Sequence, residues 1–447
     1  MPDVIKVEDK YYILATADRG LGTCAVLKDG DTFAVFDSVG DIFGVGLGEQ
    51  GLYHDGTRFL SMLEVRLNAD RPLLLSSRAS PDNLQFGADL TNRDSFVDGE
   101  VALPKDLVHV FRSRFLWNGA LYERVRFTNY SRTAVKVSLG YEFDADFADI
   151  FEVRGTGRVR RGARLPWKAF DRGGELAYHG LDGKTRRTRL QWTTMPTSIT
   201  ASDARFDLEL SAHDETTIEL RVSCEIGEVV PPPESYEEAL QQVAARQMQA
   251  RREYPTIETS SQPLNDWLER SISDVRMMIT TTPTGPYPYA GVPWFNTAFG
   301  RDGIITALQL LWMTPGIAAG VLRFLASTQA TGIVPEQDAE PGKILHEMRG
   351  GEMASLGEVP FGRYYGSVDS TPLFVMLAGA YFDRTGDRAL IDRIWTNIER
   401  ALTWMDRYGD VDGDGLVEYA RRTSRGLIQQ GWKDSQDSVF HANGEIA

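Results

Sequence analysis

The chain has 447 residues and a formal net charge of −15, and 42% of its residues are hydrophobic. That length allows two or three domains, and that composition excludes a disordered or low-complexity chain. The acidic balance argues against a nucleic acid as partner. The basic clusters Arg158–Arg161 and Thr185–Arg189 read as solvated loop or strand faces. Two cysteines, Cys24 and Cys224, make no CxxC and no disulfide framework, which fits a reducing, cytoplasmic setting, although a cysteine-poor exported protein would look the same. The first residues, MPDVIKVEDKYYILA, lack the basic-then-apolar pattern of a signal segment.

Residues 1–228 read as a β domain. Apolar and polar residues alternate in Val108–Trp117 and again in Leu121–Tyr130. Between them lies Asn118-Gly119, a dipeptide that suits a type I′ turn because both residues tolerate positive φ. Thr32–Phe36, Phe59–Asn68, Ala134–Phe143 and Thr216–Ile226 continue the pattern with no intervening helix, as in an antiparallel sandwich. Gly46, Gly48 and Gly51 form a literal GxGxxG, but a strand-like segment follows where a nucleotide fingerprint needs a helix, so a β turn is expected. The run Pro231-Pro232-Pro233 opens a linker, 229–257, whose helix Glu234–Tyr254 carries apolar positions too sparse for a core.

From residue 258 to 447 the pattern is helical. Leu264, Trp267, Leu268, Ile272, Val275, Met278 and Ile279 recur at spacings of three and four. Further helices are expected at 302–313, 315–329, 369–385 and 387–407. Ile304 to Leu322 carries no charge over nineteen residues, close to a membrane-spanning length. Thr314-Pro315-Gly316 breaks it, because Thr followed by Pro is an N-cap and first helical position, so two helices and a turn are expected and no membrane partner. Long loops at 281–301, 330–368 and 408–434 separate the helices, and loops of that length are usually functional.

Four clusters in those loops carry chemistry. Trp294 and Phe295 precede Arg301-Asp302, rings and a guanidinium–carboxylate pair of the kind that grip a sugar; an ion pair at a helix start is the bland equivalent. Lys343–Ala354 and Arg363–Phe374 supply His346, Glu347, Arg349, Tyr364, Tyr365 and Asp369, and Asp369 could equally be a plain N-cap. Asp434 lies beside Trp432, where an aromatic wall would raise a carboxyl pKa enough for proton donation; Asp437 is its competitor, and either could equally be a surface turn aspartate. Finally, Asp410, Asp412, Asp414 and Glu418, with the Leu416 carbonyl, could hold Ca²⁺, or could form Asx turns without metal.

Taken together, WFNTAFGRDG, YYGSVDSTPLF, DGDGLVEY and QGWKDSQDS, in that order, resemble the bacterial amylo-α-1,6-glucosidase (glycogen-debranching-like) proteins. Gly51–Asn68 is similar to the β-sandwich that precedes their catalytic domain. The resemblance implies an N-terminal antiparallel β-sandwich followed by the first half of an (α/α)6 toroid. It implies an inverting α-glycosidase acting on an oligosaccharide or polysaccharide, with no organic cofactor. By residue-for-residue match, Asp434 is the general acid and Arg301 with Asp302 grips the non-reducing sugar. Trp294, Phe295, Asp369 and Trp432 line the sugar subsite, with Glu347 and Tyr364 as further substrate contacts. The family's base lies before the last helix, so it is expected beyond residue 447, and the end at HANGEIA reads as a truncation; Glu336 and Glu347 are poor substitutes. A sugar phosphorylase and a non-catalytic carbohydrate-binding or assembly protein are the rival readings.

Overall fold

The computed structural model describes residues 4–7, 10–13, 24–43, 48–252, 254–435 and 438–446. They fall into two compact units, Met1–Met248 and Gln249–Ala447. The first is built of antiparallel sheets. One has eight strands in the spatial order Ala163–Phe170, Gly173–His179, Thr185–Trp192, Glu215–Ile226, Ala120–Asn129, Val108–Trp117, Phe86–Thr91 and Leu73–Ala79. A second orders Ser198–Ile199, Asp203–Leu210, Val135–Asp144 and Met62–Leu67; a third orders Ala25–Asp29, Thr32–Phe36, Gly51–His54 and Thr57–Leu60. Gly46 lies outside the described residues, and the segment after Gly48 forms strands, as a glycine-rich β turn requires.

The expected hairpin closes at Trp117↔Ala120, with Asn118 at φ 47° and Gly119 at φ 75°. Its register sets up something that alternation alone does not convey. Val108, Val110 and Leu116 face the sandwich core, and Arg112 and Arg114 share their phase, so both arginines point inward and are fully buried. Glu123 lies directly opposite Arg114 on the partner strand and meets them both. Arg112 Nε donates to Glu123 Oε2 at 2.8 Å and its Nη1 to Asp41 Oδ1 at 2.6 Å, while Arg114 Nε also donates to Glu123. Burial pushes the Glu123 carboxyl up, but the two guanidiniums outweigh it and leave the group below the usual carboxylate range.

The opposite face of the hairpin receives helix α1 (Tyr236–Arg252). Its Tyr236, Ala239 and Val243 are buried against Phe115, Trp117 and Tyr122. The sparse apolar positions of this helix therefore do serve a core, a narrow one in which large aromatic rings compensate for the short stripe. Thr185–Arg189 and Arg158–Arg161 are neutralised locally: Arg186 pairs with Asp182 at 2.9 Å, Arg189 with Glu175 at 3.2 Å, and Arg161 with Glu152 at 3.2 Å.

In the second unit, α2 (Gln262–Met278) leaves its stripe largely open, with Leu264 and Trp267 exposed. The core comes from α3 (Gly300–Leu310), α4 (Pro315–Thr328), α5 (Ser370–Thr385) and α6 (Arg388–Trp404), joined in pairs by short turns. The break at Thr314-Pro315 falls where the turn chemistry demands, although Thr314 makes no side-chain cap bond. No described helix is long and apolar enough to cross a membrane.

Replacing Glu123 with Ala would strand the buried Arg114 guanidinium and leave Arg112 with Asp41 alone, and breaking a buried pair costs about 3–5 kcal/mol. Urea unfolding followed by fluorescence should show a loss of that size in the first unit.

Candidate active site

Two glycines explain how the segment around Arg301 takes its shape. A Cβ on Gly300 would stand 1.9 Å from the Leu345 carbonyl oxygen, and one on Gly303 would stand 2.5 Å from the Tyr287 hydroxyl. Their absence lets the short strand Ala298–Phe299 pair with Glu347–Met348 just before α3 begins, with the Gly300 N–H donating to the His346 carbonyl at 2.8 Å. Arg301 therefore enters the first turn of α3 beside the 343–349 segment and is buried.

There its guanidinium meets two carboxylates. Nη1 donates to Asp369 Oδ2 and Nη2 to Asp434 Oδ2, both at 3.1 Å, and Nη1 also reaches the Gly431 carbonyl at 3.1 Å. Asp369 does sit at the N-cap position of α5, but its carboxylate makes no cap bond there. It accepts instead from Arg301 and from the Ser367 hydroxyl. Giving up a cap forgoes about 1 kcal/mol, which the charged partner offsets.

Asp302 completes an acidic ring. Burial raises its pKa, and the Asp434 and Asp369 charges raise it further against the opposing effect of Arg301. His346 is buried with Nε2 4.0 Å from Asp434 Oδ2, and its Nδ1 has no partner among the described residues. Burial first, then the Arg301, Arg349 and Lys343 charges, bring its pKa down to about 3, so the imidazole is neutral.

The remaining residues are distributed unevenly around this centre. Trp294 lends its carbonyl to Arg349 Nη1 at 2.8 Å, and Phe295 is part-exposed with its ring edge-on to Phe299. Glu347 is buried in an ion pair with Arg349 at 2.7 Å, and Glu336 is exposed. Tyr364 is fully buried; its hydroxyl donates to Asp338 and accepts from the Leu427 N–H, so it supports the site from behind and presents nothing to a sugar. Trp432 is 74% exposed, and the Asp434 carboxylate has a guanidinium partner. Asp437 lies outside the described residues.

In the acidic loop, Asp410, Asp412 and Glu418 each bring a carboxylate oxygen within 4.8 Å of the others. Asp414 does not join them; its Oδ1 accepts from the Leu416 N–H at 2.8 Å, which is an Asx turn. Sequence reasoning missed Asp338, Gln430 and Arg422, which brace the Asp434 loop. The only signal for them was their place in long loops.

Comparison with known proteins agrees with this architecture. Residues 27–221 match the family model of the N-terminal domain of some glycogen debranching enzymes. A protein described as a kojibiose phosphorylase from the human microbiome has the same fold, with a TM-score of 0.60 and 12% identity. The match covers 84% of this chain and 56% of that one, so this chain spans little more than half of that protein's length. A bacterial glucoamylase complexed with acarbose is 9% identical over 86% of this chain and 70% of its own, and its TM-score of 0.44 carries no argument. No curated protein matches. The fold is thus an antiparallel β-sandwich followed by helices of an (α/α)6 toroid.

The His346 environment has a pH signature. Its folded pKa lies below the ordinary 6.5, so below pH 6.5 the unfolded chain takes up a proton that the folded one refuses. Stability of the helical unit should therefore fall as the pH drops from 6.5 toward 4, by at most about 1.4 kcal/mol per pH unit from this group. Denaturation at stepped pH should show this slope, and His346→Gln should remove it.

Proposed function

We propose that the helical unit carries an α-glycosidase site acting on an α-glucan or a related oligosaccharide, with the 1,6-linked glucoside of the debranching-like proteins as the first substrate to try. One observation carries the proposal: a single buried guanidinium, Arg301, binds both Asp369 and Asp434, carboxylates 68 and 133 residues away along the chain. Arg301, Asp302 and Asp369 hold the non-reducing sugar through its hydroxyls. Asp434 donates the proton to the leaving glycosidic oxygen.

The ion pair ties Asp434 to the groups that hold the sugar. Arg301 Nη2 bonds its carboxylate at 3.1 Å. A sugar whose hydroxyls take over the Arg301 donors releases that carboxylate beside the leaving oxygen, where positioning favours proton transfer.

The charge balance supports hydrolysis over phosphorolysis. Three carboxyl groups surround one guanidinium, Arg349 is committed to Glu347, and His346 is neutral. A negative site stabilises an oxocarbenium-like transition state and repels a phosphate dianion. The likeness of fold to a protein described as a phosphorylase keeps phosphate as one arm of the test.

The test is sugar release from α-1,6-, α-1,4- and α-1,2-linked glucosides in ¹⁸O-water, with and without phosphate, by the chain extended to include the general base that the resemblance implies. Label in the released sugar, no phosphate dependence, and a loss of about 10²-fold or more in Asp434→Asn are expected. Phosphate-dependent cleavage, or full activity in Asp434→Asn, would overturn the assignment.

We propose further that Asp410, Asp412 and Glu418 bind Ca²⁺, their oxygens being close enough to share one ion at about 2.3–2.6 Å. Calcium should raise the melting temperature of the chain, and Asp412→Asn should remove the effect. An unchanged melting curve would leave the loop as Asx turns alone.

A further inference from the structure

A buried carboxylate outside the cluster around Arg301 is hydrogen-bonded to the segment that leads to Asp434. Asp338 is 1% exposed and adopts a left-handed backbone at φ 49°, where the short helical turn Pro335–Gln337 ends. Its side chain ties together two distant segments. Oδ1 accepts the Arg422 N–H at 2.6 Å, and Oδ2 accepts the Tyr364 hydroxyl at 2.8 Å and Gln430 Nε2 at 3.0 Å. The Tyr364 hydroxyl in turn accepts the Leu427 N–H at 2.7 Å. Gly426 passes so close that a Cβ there would stand 2.4 Å from Asp338 Oδ2.

Further charged groups lie around Asp338. Lys343 is buried and donates from Nζ to the Asp338 carbonyl at 3.2 Å. Glu340 is buried as well; it pairs with the Arg422 guanidinium and accepts from Trp404 Nε1 at 2.8 Å. Two acids and two bases thus lock residues 338–343, the end of α6 and the start of the 422–434 segment into one body. Losing one member of such a buried network is costly, because its partners are left without theirs.

From this body the loop runs straight into the site. The Gln430 carbonyl accepts the Val368 N–H at 2.8 Å, one residue before Asp369, and the Gly431 carbonyl accepts from Arg301. Asp434 follows three residues later. The backbone from Arg422 to Gly431 is therefore pinned at both ends, by Asp338 at one and by Arg301 at the other.

We infer that Asp338 is a positioning residue: its carboxylate, acting with Tyr364 and Gln430, holds the 422–431 backbone so that Asp434 meets Arg301. The link to catalysis rests on the proton-donor role given to Asp434 above, whereas the link to loop position does not. Misplacing a reacting group by about 1 Å costs on the order of 10²-fold in rate.

The experiment uses the whole chain with Asp338→Asn and, because that change could disturb folding, Tyr364→Phe as a second variant. Hydrogen exchange followed by mass spectrometry should show the amides of Arg422, Leu427 and Val368 exchanging at least tenfold faster in both variants. Peptides from α4 and α5 should keep their protection, and the double variant should add little to either single one. In the sugar-release assay on the extended chain, kcat should fall with KM within threefold. Exchange unchanged across 422–431 in both variants, or protection lost equally across α4 and α5, would overturn the inference. So would a loosened loop with wild-type kcat. A loosened loop in a chain whose Asp434→Asn variant behaves as wild type would support Asp338 as the latch and refute the donor role of Asp434 instead.

Discussion

The Arg301 guanidinium does two jobs with one planar group: it neutralises carboxylates that would otherwise repel each other, and it brings three loops to one point. Asp369 and Asp434 arrive from different segments and share it at 3.1 Å each. Burial makes that arrangement strong, since a charge removed from water must find its partners inside the protein. It also makes the arrangement conditional, because a ligand with several hydroxyls can replace a carboxylate at the same donors.

Much of the fold could be read from the chain. The Asn118-Gly119 turn, the strand alternation and the Thr314-Pro315 break each depend on local chemistry, and local chemistry is visible in sequence. What alternation could not convey was which polar residues turn inward. Arg112 and Arg114 occupy core positions because Glu123 and Asp41 wait there, and that partnership joins strands whose pairing is a tertiary fact. The helix Tyr236–Arg252 looked too polar to pack for a related reason: three small contacts suffice where the partner surface is aromatic.

The candidate site was legible in part. Motif order pointed to Arg301, Asp302, Asp369 and Asp434, and the three-dimensional arrangement gathers them in one unit. Aromatic residues near in sequence were a poorer guide. Trp432 faces solvent, and Tyr364 spends its hydroxyl on Asp338, because neighbouring residues on a loop need not share a direction. Asp338 itself carries no motif. Its importance comes from the donors that converge on it from residues 364, 422 and 430, and no spacing along the chain announces them.

The central claim is that carbohydrate binds at Arg301 in the helical unit. The β unit offers a competing location, a cleft of about 1150 Å³ lined by Arg66, Ser138, Glu142 and Arg205 among others. Calorimetric titration of an α-linked glucose disaccharide into the wild-type chain, Arg301→Met and Arg66→Met separates the two. The account predicts that Arg301→Met weakens binding at least tenfold while Arg66→Met matches wild type. Binding lost in Arg66→Met and kept in Arg301→Met would contradict it.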